Sequence, residues 1–417
     1  MNNTKLKLVS VAVATALGLA ACGENTTALT PGKTTSGVIS GFGSVFVNGV
    51  EYDTGGASVS LDGTASTESD LKVGMVVTLS GEVDPNGLTG IASSISFTDE
   101  TEGFVTAVYD AGTGTMGIMG QTVHITTDTL FDSDVPGTAA PTAASLVVGD
   151  SVEVSGFSSG NGDIYATRIA LKPAKQAGEE IELKGVVANS LAGSFKLGNL
   201  TVSYDNTTTM EVGNGIVDGL YVEVKFLNDT NTLANLGGAS PALLASKIEL
   251  EDDGKKGEQG KEGEEAELQG KVTAIDLANN KFMLNGQMVY ITDATKYEDG
   301  VSNSSSDIVA GGNVEVEGMY NVEGDLVAEK VHFGSDEADI IETSGTVISY
   351  DATAKVISFT ETGTLATVQV TVDNMTIVKD DSAAADRYFN ASKLVAGDLI
   401  EVKYDGTTML ATRLDLQ

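Results

Sequence analysis

Tryptophan is absent from this 417-residue chain, cysteine occurs once, histidine twice and proline six times. A single cysteine, Cys22, excludes an internal disulfide, so stability must come from packing and hydrogen bonds. It also excludes Cys-x-x-Cys-His haem attachment, and with only two histidines it excludes the His and Cys clusters that zinc requires. No Gly-x-Ser-x-Gly elbow occurs, and a Ser-His-Asp triad would have to recruit His124 or His332. Basic residues are scarce as well: 24 Lys and Arg face 59 Asp and Glu, a formal charge of −35. Phosphate backbones are bound by Lys and Arg that release counterions, so this balance argues against nucleic acid. Simple solubility explains the excess acid, and a weak, diffuse affinity for divalent cations is the sharper alternative. The longest apolar run, residues 8–19, is shorter than the about 20 residues a membrane-spanning helix needs.

That run belongs to an address. Lys5 and Lys7 precede it and small residues lead from it to Cys22, the tripartite layout of a secretory signal. The stretch Leu19-Ala20-Ala21-Cys22 is similar to the lipobox of bacterial lipoproteins. The resemblance implies a signal peptide over residues 1–21, diacylation of Cys22 through a thioether, cleavage before it and acylation of the new amino group. Three chains hold firmly, because each buried methylene adds about 0.8 kcal/mol while one chain alone holds only marginally. Gly23 in place of Asp resembles the signal for the outer membrane of Gram-negative bacteria. Residues 1–21 carry two lysines and no acid, so 22 basic against 59 acidic residues remain, a formal −37. Polar residues up to 36 read as a lipidated flexible tether over 22–36.

Behind the address one pattern is written five times. Each copy opens on a Gly before a strand, at Gly37, Gly103, Gly185, Gly270 and Gly345. Each closes on Ala-x-x-apolar-x-apolar, beginning at Ala92, Ala166, Ala245, Ala328 and Ala411. The middle carries an alternating hairpin, clearest at residues 116–126 and 282–292, then a polar loop. A Gly-centred turn follows and leads into another alternating strand, as in Leu71-Lys72-Val73-Gly74 and Leu146-Val147-Val148-Gly149. The odd step from Ala166 to Ile169 against the even step to Leu171 predicts a β-bulge or a sharp bend near the alanine. The repeats are expected over 37–98, 101–172, 181–250, 267–333 and 341–417. Residues 251–266 between the third and fourth form an acidic linker that separates a three-unit from a two-unit arm. The third copy departs most, with Gly219-Leu220 at the Gly-Asp position and an insertion over 227–231.

About five strands in each unit would leave sticky edges unless the sheet closes, so the expected class is all-β, five tandem five-stranded barrels. The Leu-x-x-Gly-Asp-x-Val-x-Val-x-Gly stretch resembles the middle of OB-like and SH3-like barrels. Together with the lipobox and the repeat, it resembles bacterial exported lipoproteins that carry tandem copies of a domain of unknown function. That family brings no established activity, cofactor or catalytic residue with it.

The candidate sites are weak. His124 and His332 occupy slots that hold Tyr, Glu, Ser, Ala or Asp in sister copies, which reads as an outward surface position. Turns such as Asp84-Pro85-Asn86-Gly87, Asn161-Gly162-Asp163 and Glu323-Gly324-Asp325 offer oxygens to calcium, yet none has EF-hand spacing and turn chemistry explains them. Tyr109, Tyr165 and Tyr320 are candidate platforms for sugar faces or else cross-strand packing. The expected function is a non-enzymatic lipoprotein, anchored to the membrane through Cys22, a string of five units that binds or scaffolds an unidentified envelope protein or glycan. No catalytic residue, metal ligand or cofactor is assigned. A hydrolase with an interdomain carboxylate site and a passive surface spacer are the alternatives.

Overall fold

A computed structural model of the chain describes residues 30–417 apart from 43, 85–88, 127, 159–161, 214, 239, 251–261, 285–286, 299, 301, 335–339, 374–375, 381–386 and 389–390. The expected signal peptide, Cys22 and most of the acidic linker lie outside the described residues.

Segments that alternate apolar and polar residues form strands, with Val, Ile and Phe turned inward. The second copy shows the unit plainly: Thr101–Asp110, Thr115–Ile118, Gln121–His124, Ser151–Ser158 and Asp163–Leu171. Its first three strands form an antiparallel meander, and the third runs parallel to the fifth. The fifth pairs antiparallel with the fourth, which returns antiparallel to the first. This circuit closes the sheet into an OB-type barrel, and within the unit the first half of the opening strand keeps a free outer edge. Copies 1 and 4 repeat all five pairings. In copy 5 the third and fifth strands meet through one parallel bridge, Thr371 with Leu410. In copy 3 the last strand breaks in two: Ala242–Leu244 pairs with the third strand and Lys247–Leu250 with the fourth. The insertion that sets this copy apart leads into Thr232–Leu236, the one α-helix among the described residues, and Leu233 rests against Gly149 of copy 2.

Three local devices recur. Gly74, Gly149, Gly219, Gly311 and Gly397 all have φ between 80° and 104°, the left-handed region that glycine tolerates. Their N–H groups donate to Ile39, Val105, Val187, Val272 and Val347, each two residues beyond a copy's opening Gly, at 2.8–3.0 Å. The bulge expected near the alanine is present: pairing skips Ser93, Thr167, Glu329 and Thr412 in copies 1, 2, 4 and 5. The third device went unread in the sequence. Thr129, Thr208, Thr295 and Thr376 donate their hydroxyls to the carbonyls of Ala166, Ala245, Ala328 and Ala411 at 2.7–2.8 Å. Each hydroxyl also accepts the N–H three residues earlier. Copy 1 has Ala57 at this place.

The units do not hang in a string, as the sequence led us to expect. Thr34–Ser36 of copy 1 pairs in parallel with Ala266–Leu268 of copy 4, so the two arms fold back on each other. Copies 2 and 3 pair at Glu102 and Glu182 and share one continuous apolar core, whereas copies 1, 4 and 5 each have their own. The tether is also shorter than expected, because Thr30–Phe42 is a strand, and residues 265 and 266 of the expected linker belong to the strand Glu265–Asp276. The physical reason is backbone satisfaction: a polar segment beside a free strand edge pairs with it rather than staying solvated.

Candidate functional site

Pairing of copies 1 and 4 brings copies 2 and 5 against the same joint, and four barrels surround a cavity of about 90 Å³. The two arms line it with equivalent positions. Val38 and Lys271 each follow an opening glycine, while Ala166 with Thr167 and Ala411 with Thr412 are the bulges of copies 2 and 5. Polar contacts cross the joint. The Thr412 hydroxyl donates to Asp128 Oδ1 at 3.3 Å, and Gln269 Oε1 accepts the Val38 N–H at 3.3 Å. Lys271 Nζ lies 5.6 Å from the centre of the Tyr165 ring, a cation–π distance. A ring nitrogen of His332 in copy 4 meets Asp373 Oδ2 of copy 5 at 3.2 Å. The volume suits a few waters, a small polar molecule or one inserted side chain. It is well below the about 300–1,000 Å³ of pockets for larger ligands.

The placement of the sequence candidates is informative. His332 points away from its own barrel, as expected, but its side chain is only 13% exposed because copy 5 covers it. An outer face of one repeat has become an inner face of the assembly. His124 is half-buried, stacked on Tyr165 with ring centres 4.5 Å apart. Tyr165 therefore offers no open platform on that face, Tyr320 is buried in the copy 4 core, and Tyr109 packs on the shared core of copies 2 and 3. In the turn at Glu323-Gly324-Asp325, Asn321 Oδ1 accepts the N–H groups of Glu323 and Asp325 at 2.9 Å, which is turn chemistry without a cation. The other two turns lie partly outside the described residues.

Sequence reading missed the buried ions. Arg168, 2% exposed, donates to Glu153 Oε1 at 3.1 Å and Asp132 Oδ2 at 2.8 Å, and Lys172 reaches Glu153 Oε2 at 2.7 Å. Glu153 is thereby compensated, as a buried carboxylate must be. Others are less so. Burial pushes Asp99 and Glu315 well above the ordinary carboxylate range, and the nearby Glu182 and Glu267, respectively, push them further. Burial, and then Glu223, pushes Glu182 up to about 7. Glu153, Arg168, Glu182 and Glu315 lie on strands among core positions, and Asp99 lies in a short polar connector, so in sequence they look like solvated faces.

No curated protein matches this chain. A family model, Domain of unknown function (DUF5666), matches residues 32–96, 102–170, 184–234, 269–332 and 344–415. Five barrels with one circuit of pairings, and five matches that together cover more than half of the sequence, place this chain in the DUF5666 family as a tandem array of five copies.

Proposed function

We propose that this protein is a non-catalytic lipoprotein of the cell envelope, tethered through Cys22, whose five barrels pack into one body that binds an envelope component. The observation that carries the binding reading is the cavity of about 90 Å³ built from equivalent positions of the two arms. Repeats serving only as spacers gain nothing from converging on one point, whereas a shared binding face requires it. The tether rests on the lipobox ending at Cys22 and on Gly23 after it, which favour the outer membrane. The bound component is an envelope protein or glycan that presents a small polar group. The buried carboxylates give little support to a hydrolase, since the Asp99 oxygens are closed to solvent and an acid or base must come within hydrogen-bond reach of substrate.

Two experiments test this. Wild-type protein is expected to incorporate labelled palmitate and to fractionate with membranes; a Cys22→Ala protein that still did both would remove the anchor. The soluble form, residues 23–417, is expected to bind isolated envelope fractions saturably. Thr412→Trp, which fills the cavity, should weaken that binding about tenfold or more, roughly 1.4 kcal/mol. Binding that never saturates, or that ignores Thr412→Trp, would return the molecule to the spacer reading.

A further inference from the structure

Copies 1, 2 and 3 meet around the connector at residues 98–100, between the strands Thr89–Phe97 and Thr101–Asp110. Asp99 sits there, 1% exposed, and neither oxygen of its carboxylate has a hydrogen-bond partner. A buried carboxylate left bare is costly, so the group needs a proton or a cation. Its oxygens face other carboxylates. Asp62 of copy 1, Asp99 and Glu182 of copy 3 bring one oxygen each within 4.8 Å of one another. The backbone holds this arrangement in place. The Asp99 N–H donates to Asp62 Oδ1 at 3.1 Å, and Glu182 is fixed by pairing with Glu102 across the joint of copies 2 and 3.

We propose that Asp62, Asp99 and Glu182 form a binding site for a hard divalent cation, calcium above all, that clamps copies 1, 2 and 3 together. Oxygen donors alone suit calcium rather than zinc or copper. Three carboxylates can supply up to about six oxygens, and water can complete a shell of six to eight. Asp62 is exposed, so the cation enters from solvent at that edge while Asp99 closes the inner side. Lys184 stands nearby with its ammonium on the Asp99 backbone carbonyl at 2.8 Å, and Lys225 pairs with Glu182 Oε2 at 3.2 Å, so two positive charges face three carboxylates and one negative charge is left over for a cation. A second triad, Asp99 with Glu102 and Glu153, is a poorer candidate. Lys172 and Arg168 already neutralise Glu153, and Lys175 pairs with Glu102.

The test uses the full-length protein stripped with EDTA and titrated with calcium chloride against potassium chloride of matched ionic strength. One calcium per chain is expected to bind, and about 1 mM calcium to raise the melting temperature by about 5 °C. Asp99→Asn and Asp62→Asn should each abolish the rise, while Glu323→Gln in an exposed turn should keep it. The Asp62 variant lies at the solvent edge and so reports even if Asp99→Asn fails to fold. A rise no larger than potassium produces, or one retained in Asp62→Asn, overturns the proposal.

Discussion

Glu182 carries the clearest single-residue consequence of burial. Its folded pKa of about 7 lies above its ordinary 4.5, so the folded chain holds that proton more tightly than the unfolded chain. Stability from this group is complete below about 4.5 and is lost as pH rises through about 7. Its partner Glu223 is held below the ordinary value, because Lys184 and Lys225 outweigh the burial that pushes it up, so its own loss falls at lower pH. In metal-free buffer the protein should melt at a higher temperature at pH 5 than at pH 8, and Glu182→Gln should flatten that slope. Thr295 makes a different prediction. Thr295→Val keeps the shape but strips the hydroxyl that joins the Thr292 N–H to the Ala328 carbonyl, so about 1–3 kcal/mol should be lost in urea unfolding. This threonine was legible in principle, since Thr126 and Thr129 recur as Thr292 and Thr295, but a polar pair after a hairpin reads as an ordinary turn.

At the scale of elements, the glycines separate two kinds of cost. A Cβ at Gly397 would meet nothing within 4 Å, yet its φ is 104°, so Gly397→Ala should cost about 1–2 kcal/mol of backbone strain alone. A Cβ at Gly156 would lie 2.3 Å from the Tyr165 carbonyl oxygen, so Gly156→Ala must push the bulge apart and should cost more, about 2–3 kcal/mol. Urea midpoints for the two variants, with unchanged slopes, check the order. Both sites were visible as repeated glycines, and the bulge was visible as a phase slip beside the alanine. Closure of the barrel followed from them. The last strand of copy 3 breaks between Leu244 and Lys247, at the alanine beside which the other copies bulge, in the copy whose sequence departs most from the rest.

At the scale of the whole molecule, the arms are held by contacts rather than by the linker. The parallel pairing at Thr34–Ser36, the Lys33 to Glu267 ion pair and the Thr412 to Asp128 hydrogen bond all cross between arms. A protease site placed within 251–261 and cut should therefore leave the halves eluting together on gel filtration. Separation into two species at micromolar concentration would show that the arms are independent.

The number of copies, the closed barrel and the phase slip beside the alanine were all legible in the chain before it was folded. These rest on local signals, alternation of period two and glycine at fixed places, and repetition amplifies each of them. Which outward faces are covered depends on how the copies pack, so His332 reads as surface and proves to be inside, and nothing in the pattern marks Arg168 or Asp99 as buried. A barrel has two faces, and hydrophobic patterning marks only the inner one. Where the outer faces meet through paired charges and strand edges, apolar periodicity carries no trace of the contact.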